Sequence, residues 1–284
     1  MSAAKGKLIN AASRFFQRVP HEKGVDPQQD KLGKVESRLK DLETSCEQLQ
    51  DALSQAAGLL PPPAHLQIRV SGVYDASFIR HGESLRAQLG SSLASIGKDF
   101  RSFQSILDFG CGCGRVLRAV HAGRVPSQQL YGTDIDVEAI DWCRKNYAAA
   151  AKFSANPALP PTGYREEMFD FVYSVSTFTH LPEEMQFSWL AELRRVTRAG
   201  GLLLLTTHGR KHIEKLPSAE RETAIANGFW YCHAGNTAGL PGFYQVAYHM
   251  PEYIRQRWSE FFEIVDVCER ALDDHQDIVI CRAI

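Results

Sequence analysis

Apolar positions along the first 60 residues recur with helical spacing. In residues 8–19, Leu8, Ala12, Phe15, Phe16 and Val19 share one helical face, and Lys5, Lys7, Arg14 and Arg18 add positive charge around it. A basic amphipathic helix of this kind suits weak contact with an anionic membrane surface, or packing on a partner. Residues 32–56 carry a sharper pattern. Leu32, Val35, Leu39, Leu42, Cys46, Leu49, Leu53 and Ala56 alternate spacings of three and four. A seam two residues wide is narrow for a helix packed on its own domain. It predicts a coiled coil and a homo-oligomer formed through residues 32–56. With Leu32 at position a, Arg38 at g and Glu43 at the following e can bridge between parallel helices. Gly58-Leu-Leu-Pro61-Pro62-Pro63 then ends the helix, so residues 1–60 read as a helical extension and 61–68 as a stiff proline-rich linker.

From Arg69 the period changes. Asp75 to Ile96 reads as a helix, with Asp75 as N-cap and Gly97 as C-cap. Strand-like apolar runs at Ser105–Phe109, Leu130–Ile135, Phe169–Val175 and Gly201–Thr207 then alternate with helical segments at Arg115–His121, Val137–Tyr147 and Glu183–Thr197. That order predicts an α/β fold: a doubly wound, mostly parallel sheet with helices on both faces. Phe261–Cys268 and His275–Cys281 are strands too close for a crossover helix and must pair antiparallel. The domain is expected to span 69–284, with a long insertion at 209–250.

Composition narrows the classes. Of 284 residues, 44% are hydrophobic and 23% charged, with a net charge of −1. This is a globular composition with no field that points to nucleic acid. No apolar run approaches the roughly 20 residues of a membrane span. The N-terminus lacks the apolar core of a secretory signal. Seven irregularly spaced cysteines argue against a disulfide framework, so a reduced, cytoplasmic setting is expected.

The chemistry gathers in Ile106-Leu-Asp108-Phe-Gly110-Cys111-Gly112-Cys113-Gly114-Arg115, a strand that runs through a glycine turn into a helix. Such a turn lets backbone approach a ligand, and the helix start presents unpaired N–H groups to it. The dinucleotide fingerprint G-x-G-x-x-G fails here, because the third glycine comes one residue early and Arg115 takes its place. About 20 residues on, Asp134 ends the second strand, where a carboxylate can accept hydrogen bonds from both ribose hydroxyls. Asp136 is better placed to cap the next helix.

In order, the turn at 108–114, Gly132-Thr-Asp134, Phe169-Asp-Phe-Val-Tyr-Ser-Val, Arg195-Val-Thr-Arg-Ala-Gly-Gly-Leu-Leu-Leu-Leu and the terminal hairpin resemble the class I S-adenosylmethionine-dependent methyltransferases. The resemblance implies a seven-stranded sheet whose last strand is antiparallel. It also implies S-adenosylmethionine as cofactor. Gly110, Cys111, Gly112 and Gly114 would hold its methionine portion, and Asp108 its amino group. Asp134 would take the ribose and Ile135 would pack on adenine. Ser174, Val175 and Ser176 would face the methyl donor and acceptor. The family's acidic adenine ligand is missing. Asn156 stands near its place and can accept the same hydrogen bond.

His180, in Ser176-Thr-Phe-Thr-His180-Leu, follows the fourth strand and is the candidate general base should the acceptor be a hydroxyl. His208, His233 and His249 read more simply as structural hydrogen-bonding groups. The insertion is expected to form a lid that touches substrate through Trp230, Tyr231, His233, Tyr244 and His249, although the same aromatics equally suit a small core of their own. Cys111-x-Cys113 lacks metal-ligand spacing and no second pair follows, so no metal site is expected. The reading is methyl transfer to a small-molecule or carrier-linked acceptor such as a sugar, lipid or natural product. The alternative is a scaffold that keeps the fold and works through its coiled coil.

Overall fold

A computed structural model describes residues 33–42, 44–45, 60–72, 74, 76–233 and 241–284. The chain divides into two compact units, Met1–Asp51 and Ala52–Ile284. In the first, residues 33–42 and 44–45 are helical. Val35, Leu39 and Leu42, three members of the predicted seam, are 62%, 58% and 63% exposed. The remainder of the 32–56 seam, the basic segment 5–19 and the cap assigned to Asp75 lie outside the described residues.

The second unit starts with a helix where a linker is expected. Residues 64–68 are not linker but the start of helix α1 (Ala64–Ser71). The prolines lead into this helix as well as ending the one before. Proline is harmful inside a helix but harmless just before it. The Pro63 carbonyl accepts from the N–H groups of Leu66 (3.0 Å) and Gln67 (3.1 Å), while the Gln67 side chain donates to Pro62 O at 2.7 Å. Leu66 is buried against Phe78, Cys113 and Ala139, which makes α1 part of the domain core. Helix α2 (Phe78–Ala94) follows and closes at Gly97, where the Lys98 N–H donates to Leu93 O at 3.0 Å.

Strands and helices then alternate: β1 (Ser105–Phe109), α3 (Arg115–Ala122), β2 (Gln129–Asp134), α4 (Val137–Asn146), β3 (Lys152–Ala155), β4 (Phe169–Ser174), α5 (Glu183–Val196) and β5 (Thr197–Thr207). The insertion folds into α6 (Arg210–Ile213), α7 (Ser218–Asn227), β6 (Phe229–Cys232) and β7 (Val246–His249). Helix α8 (Pro251–Arg257) leads to β8 (Phe262–Leu272) and β9 (Gln276–Ala283). The main sheet has the order β3-β2-β1-β4-β5-β9-β8. Strand β9 is antiparallel to both β5 and β8, so it alone runs against the sheet. This is the expected seven-stranded, doubly wound arrangement.

Strand periodicity divides the core between the two faces. Leu107, Val172, Leu203, Leu205, Val279 and Cys281 pack on the face that carries α5 and α8. Their neighbours Ile106, Phe171, Tyr173, Leu202, Leu204, Ile278 and Ile280 pack on the other, against α2 and α3. All of these side chains are nearly or fully buried. Removing the side chain of a core leucine in such a sheet costs about 2–5 kcal/mol.

The insertion is more ordered than a loop. Strands β6 and β7 form a separate antiparallel pair, Phe229 opposite His249 and Trp230 opposite Tyr248. Tyr248 bridges to His208 at the end of β5, and the His249 N–H donates to His208 O at 2.8 Å. Among the described residues no helix is long and apolar enough to cross a membrane.

Candidate active site

The carboxyl ends of β1, β2 and β4 open into a cleft with about 970 Å³ of empty space, part of it continuous with solvent. Open α/β sheets bind their ligands at this rim. The glycine turn forms one wall. Gly110 has φ +81° and Gly112 φ +53°, conformations that side chains rarely adopt. A Cβ at Gly110 would overlap Thr177 Oγ1, and one at Gly112 would lie 2.6 Å from Val70 Cγ2. The turn is stitched to β2: the N–H groups of Gly110 and Cys111 donate to Thr133 O at 2.8 and 3.0 Å.

Two carboxylates line the cleft. Asp108 is only 3% exposed. Burial pushes its carboxyl up to about 8; the nearby Asp134 adds to the rise, while the Tyr173 hydroxyl and Arg115 oppose it. Asp134 accepts from Gly112 N at 2.7 Å and from Asp136 N at 2.8 Å. Burial raises its pKa as well, and these backbone N–H groups pull it back down. Asp134 thus braces the glycine turn while keeping lone pairs for a ligand. Asp136 caps α4 through the Ala139 N–H (3.2 Å), as its position predicts. It also receives Arg69 of α1 at 2.9 Å.

Ile135, Asn156, Val175 and Ser176 line the same cleft. Asn156 Oδ1 already accepts from Thr133 Oγ1 at 3.0 Å, and its Nδ2 donates to Pro157 O at 2.9 Å. An adenine amino group would share that oxygen. Ser176 has φ +63°. Its N–H donates to Thr206 Oγ1, and its Oγ accepts from Gln276 Nε2, both at 2.8 Å. These bonds hold a non-glycine residue in a backbone conformation that costs about 1–3 kcal/mol.

Other expected residues lie elsewhere. Ser174 is fully buried behind the cleft wall. Gly114 sits against Tyr147 and Cys143, where a Cβ would come within 3.1 Å of the Tyr147 ring. It is a packing residue at the start of α3. His180 does not line the cleft. Its Nδ1–H donates to Gln245 O at 2.5 Å, and its ring stacks under Tyr244 with centroids 4.1 Å apart. Burial lowers its pKa, and the hydrogen bond to Gln245 opposes that shift. Of the five lid residues, Tyr244 alone lines the cleft. His249 is buried on the core side, where its Nε2–H donates to Gln186 Oε1 at 2.8 Å. Tyr231 donates to Phe243 O at 2.6 Å, Trp230 packs on the core cluster, and His233 is exposed.

The cleft also takes in Arg69, Val70, Arg115, Thr177, Trp189 and Phe243. Thr177 is one residue past the predicted stretch, and Phe243 adjoins Tyr244. Arg69 and Val70 open the expected domain but belong to α1, a helix that the sequence pattern did not announce. Trp189 carries no local signal: it is one apolar residue of an amphipathic helix whose Nε1–H happens to reach Ala158 O at 3.2 Å.

Residues 106–201 match the family model described as a methyltransferase domain. Over this stretch the chain carries a methyltransferase domain, and its sheet order is the Rossmann-like one that the resemblance to class I S-adenosylmethionine-dependent methyltransferases implies. Several solved structures share the fold. DhpI, determined as its complex with SAH, is similar at 15% identity and TM-score 0.52, over 77% of this chain and 93% of that one. A Pyrococcus horikoshii protein matches at 15% identity and TM-score 0.51, over 70% and 89%. An S-adenosylmethionine-dependent methyltransferase from Clostridium acetobutylicum matches at 9% identity and TM-score 0.50, over 70% and 90%.

Proposed function

We propose that the protein transfers the methyl group of S-adenosylmethionine to a small-molecule or carrier-linked acceptor by in-line displacement. The observation that carries this reading is the pair Asp108 and Asp134, two buried carboxylates on one cleft, flanked by a glycine turn with no room for side chains. When bound, the cofactor supplies a methyl group on a sulfonium, a leaving group that needs no protonation. Asp108, ionised by the charge of an amino group beside it, holds the methionine end. Asp134 accepts from the ribose hydroxyls with the lone pairs that Gly112 and Asp136 leave free. Ile135 packs on the adenine, and Asn156 Oδ1 accepts from its amino group.

The wall of Val175, Ser176 and Thr177 faces the reacting atoms, and Phe243 and Tyr244 cover the acceptor. Holding donor and acceptor in line is most of what such a reaction asks of a protein. His180 acts as a positioning residue: stacked on Tyr244, it fixes the ring that faces the cleft. Residues 32–56 join copies of the chain, a reading supported by the open row Val35, Leu39 and Leu42. The described cysteines are free thiols, which suits a cytoplasmic setting. Calorimetry of the purified protein with S-adenosylmethionine and with its demethylated product tests the reading. Binding of either at micromolar concentration is expected; binding of neither refutes both the reaction and the residue roles.

A further inference from the structure

Three histidines with no part in the cleft converge at the end of β5. His208, His212 and His275 each offer a ring nitrogen, and these nitrogens lie within 4.8 Å of one another. The His208 and His212 rings are tilted at 43° with centroids 4.5 Å apart, and His212 meets His275 edge to face at 4.4 Å. His208 ends the β5 run in a bridge to Tyr248, and His212 lies in the short helix α6 that follows it. His275 arrives from the turn between β8 and β9.

We propose that these three histidines bind one divalent transition-metal ion of the zinc class. Three imidazoles are a donor set that zinc, cobalt and nickel accept, whereas magnesium and calcium need oxygen. Asp274, the chain neighbour of His275, is already committed to Lys211 at 2.6 Å and to Arg270 at 2.5 Å. Two details of hydrogen bonding fit a ligand role. The His212 Nε2–H donates to His275 O at 2.7 Å. A backbone carbonyl bound in this way fixes the tautomer and leaves Nδ1 as the nitrogen with a free lone pair. His208 is 9% exposed, and its Nδ1 is buried without a hydrogen-bond partner.

Tetrahedral zinc with nitrogens at about 2.0–2.1 Å sets them about 3.4 Å apart. Closing on the ion asks the three rings to draw in from their spacing of up to 4.8 Å, and His275, exposed on its turn, is free to move. Three protein ligands leave a fourth position open to water. The ion ties the β8–β9 turn to the end of β5 and, through the His208–Tyr248 bridge, to the lid hairpin.

The test uses untagged full-length protein stripped with a chelator and titrated with Co²⁺, then with Zn²⁺. One equivalent of Co²⁺ is expected, with ligand-field absorption and no thiolate-to-cobalt charge-transfer band, and Zn²⁺ should displace it. The double variant His212→Gln, His275→Ala should lose at least about tenfold in affinity, while its metal-free melting curve matches that of the metal-free parent. His275 is exposed and His212 partly exposed, and a glutamine at 212 keeps a side-chain donor for His275 O. Absence of stoichiometric binding, a charge-transfer band from cysteine, or unchanged affinity in the double variant overturns the assignment.

Discussion

Replacing Asp108 by Asn separates the burial of a charge from its use. In the cofactor-free fold the Asp108 carboxyl titrates at about 8, against 3.8 when free of the fold. Between these values the folded protein holds a proton that the unfolded chain has released. More protons are bound in the native state, so stability falls as pH rises through this window. The two values lie about 4 pH units apart, and at about 1.4 kcal/mol for each the ceiling is about 6 kcal/mol. Asparagine has nearly the same size and no proton to lose. Asp108→Asn should therefore match the parent near pH 4 and exceed it in stability by several kcal/mol near pH 8. Urea unfolding at a series of pH values, without cofactor, measures the difference. Calorimetry should show the opposite trend for ligand. Loss of a charge-assisted hydrogen bond to the amino group costs about 1.5–3 kcal/mol, or roughly 10- to 150-fold in affinity. A variant less stable than the parent at pH 8, or one that keeps the parent's pH slope, would refute the reasoning.

Other substitutions probe the same cleft. Asp134→Ala removes the partner of two backbone N–H groups as well as the ribose ligand. It should lower stability by about 1–2 kcal/mol and cofactor affinity by at least about tenfold; unchanged affinity by calorimetry would displace the ribose assignment. Gly110→Ala meets Thr177 Oγ1 at a left-handed backbone position. It should cost about 1–3 kcal/mol and abolish measurable cofactor binding, and a variant that melts and binds like the parent would contradict the close approach. Removing residues 1–51 should leave a folded, cofactor-binding monomer by light scattering, and a surviving dimer would place self-association in the remaining unit.

Strands β1, β2 and β4 were legible because each is a short apolar run closed by Gly, Asp or Ser, and the hairpin because no helix fits between Cys268 and His275, whereas β3, β6 and β7, four residues each, are too short to show a period. Asp108 and Asp134 stood out because a carboxylate at the end of a buried strand needs a reason. Helix α1 was hidden by its own start signal: the same Pro61-Pro62-Pro63 run ends one helix and launches the next, and only the burial of Leu66 separates a linker from a helix. The lid misled because the aromatic and histidine side chains of a two-stranded pair serve its core and the cleft alike. Tyr244 turns to the cleft, while His249 turns to Gln186, Phe229 and Trp258. His212 and His275 are 63 residues apart, and no local spacing announces that a strand end and a distant turn will meet.

The reversed direction of β9 decides where the molecule can be altered. Because this strand runs against the sheet, its first residues reach the cleft rim, where Gln276 holds Ser176. Its last residues lie beside the start of β5, with Arg282 opposite Leu202. Ile284, 60% exposed, therefore leaves the fold on the side away from the cleft. A fluorescent protein or immobilisation handle attached there leaves ligand traffic undisturbed. The same insertion in the β8–β9 turn would land among His275, Gln276 and the residues they support.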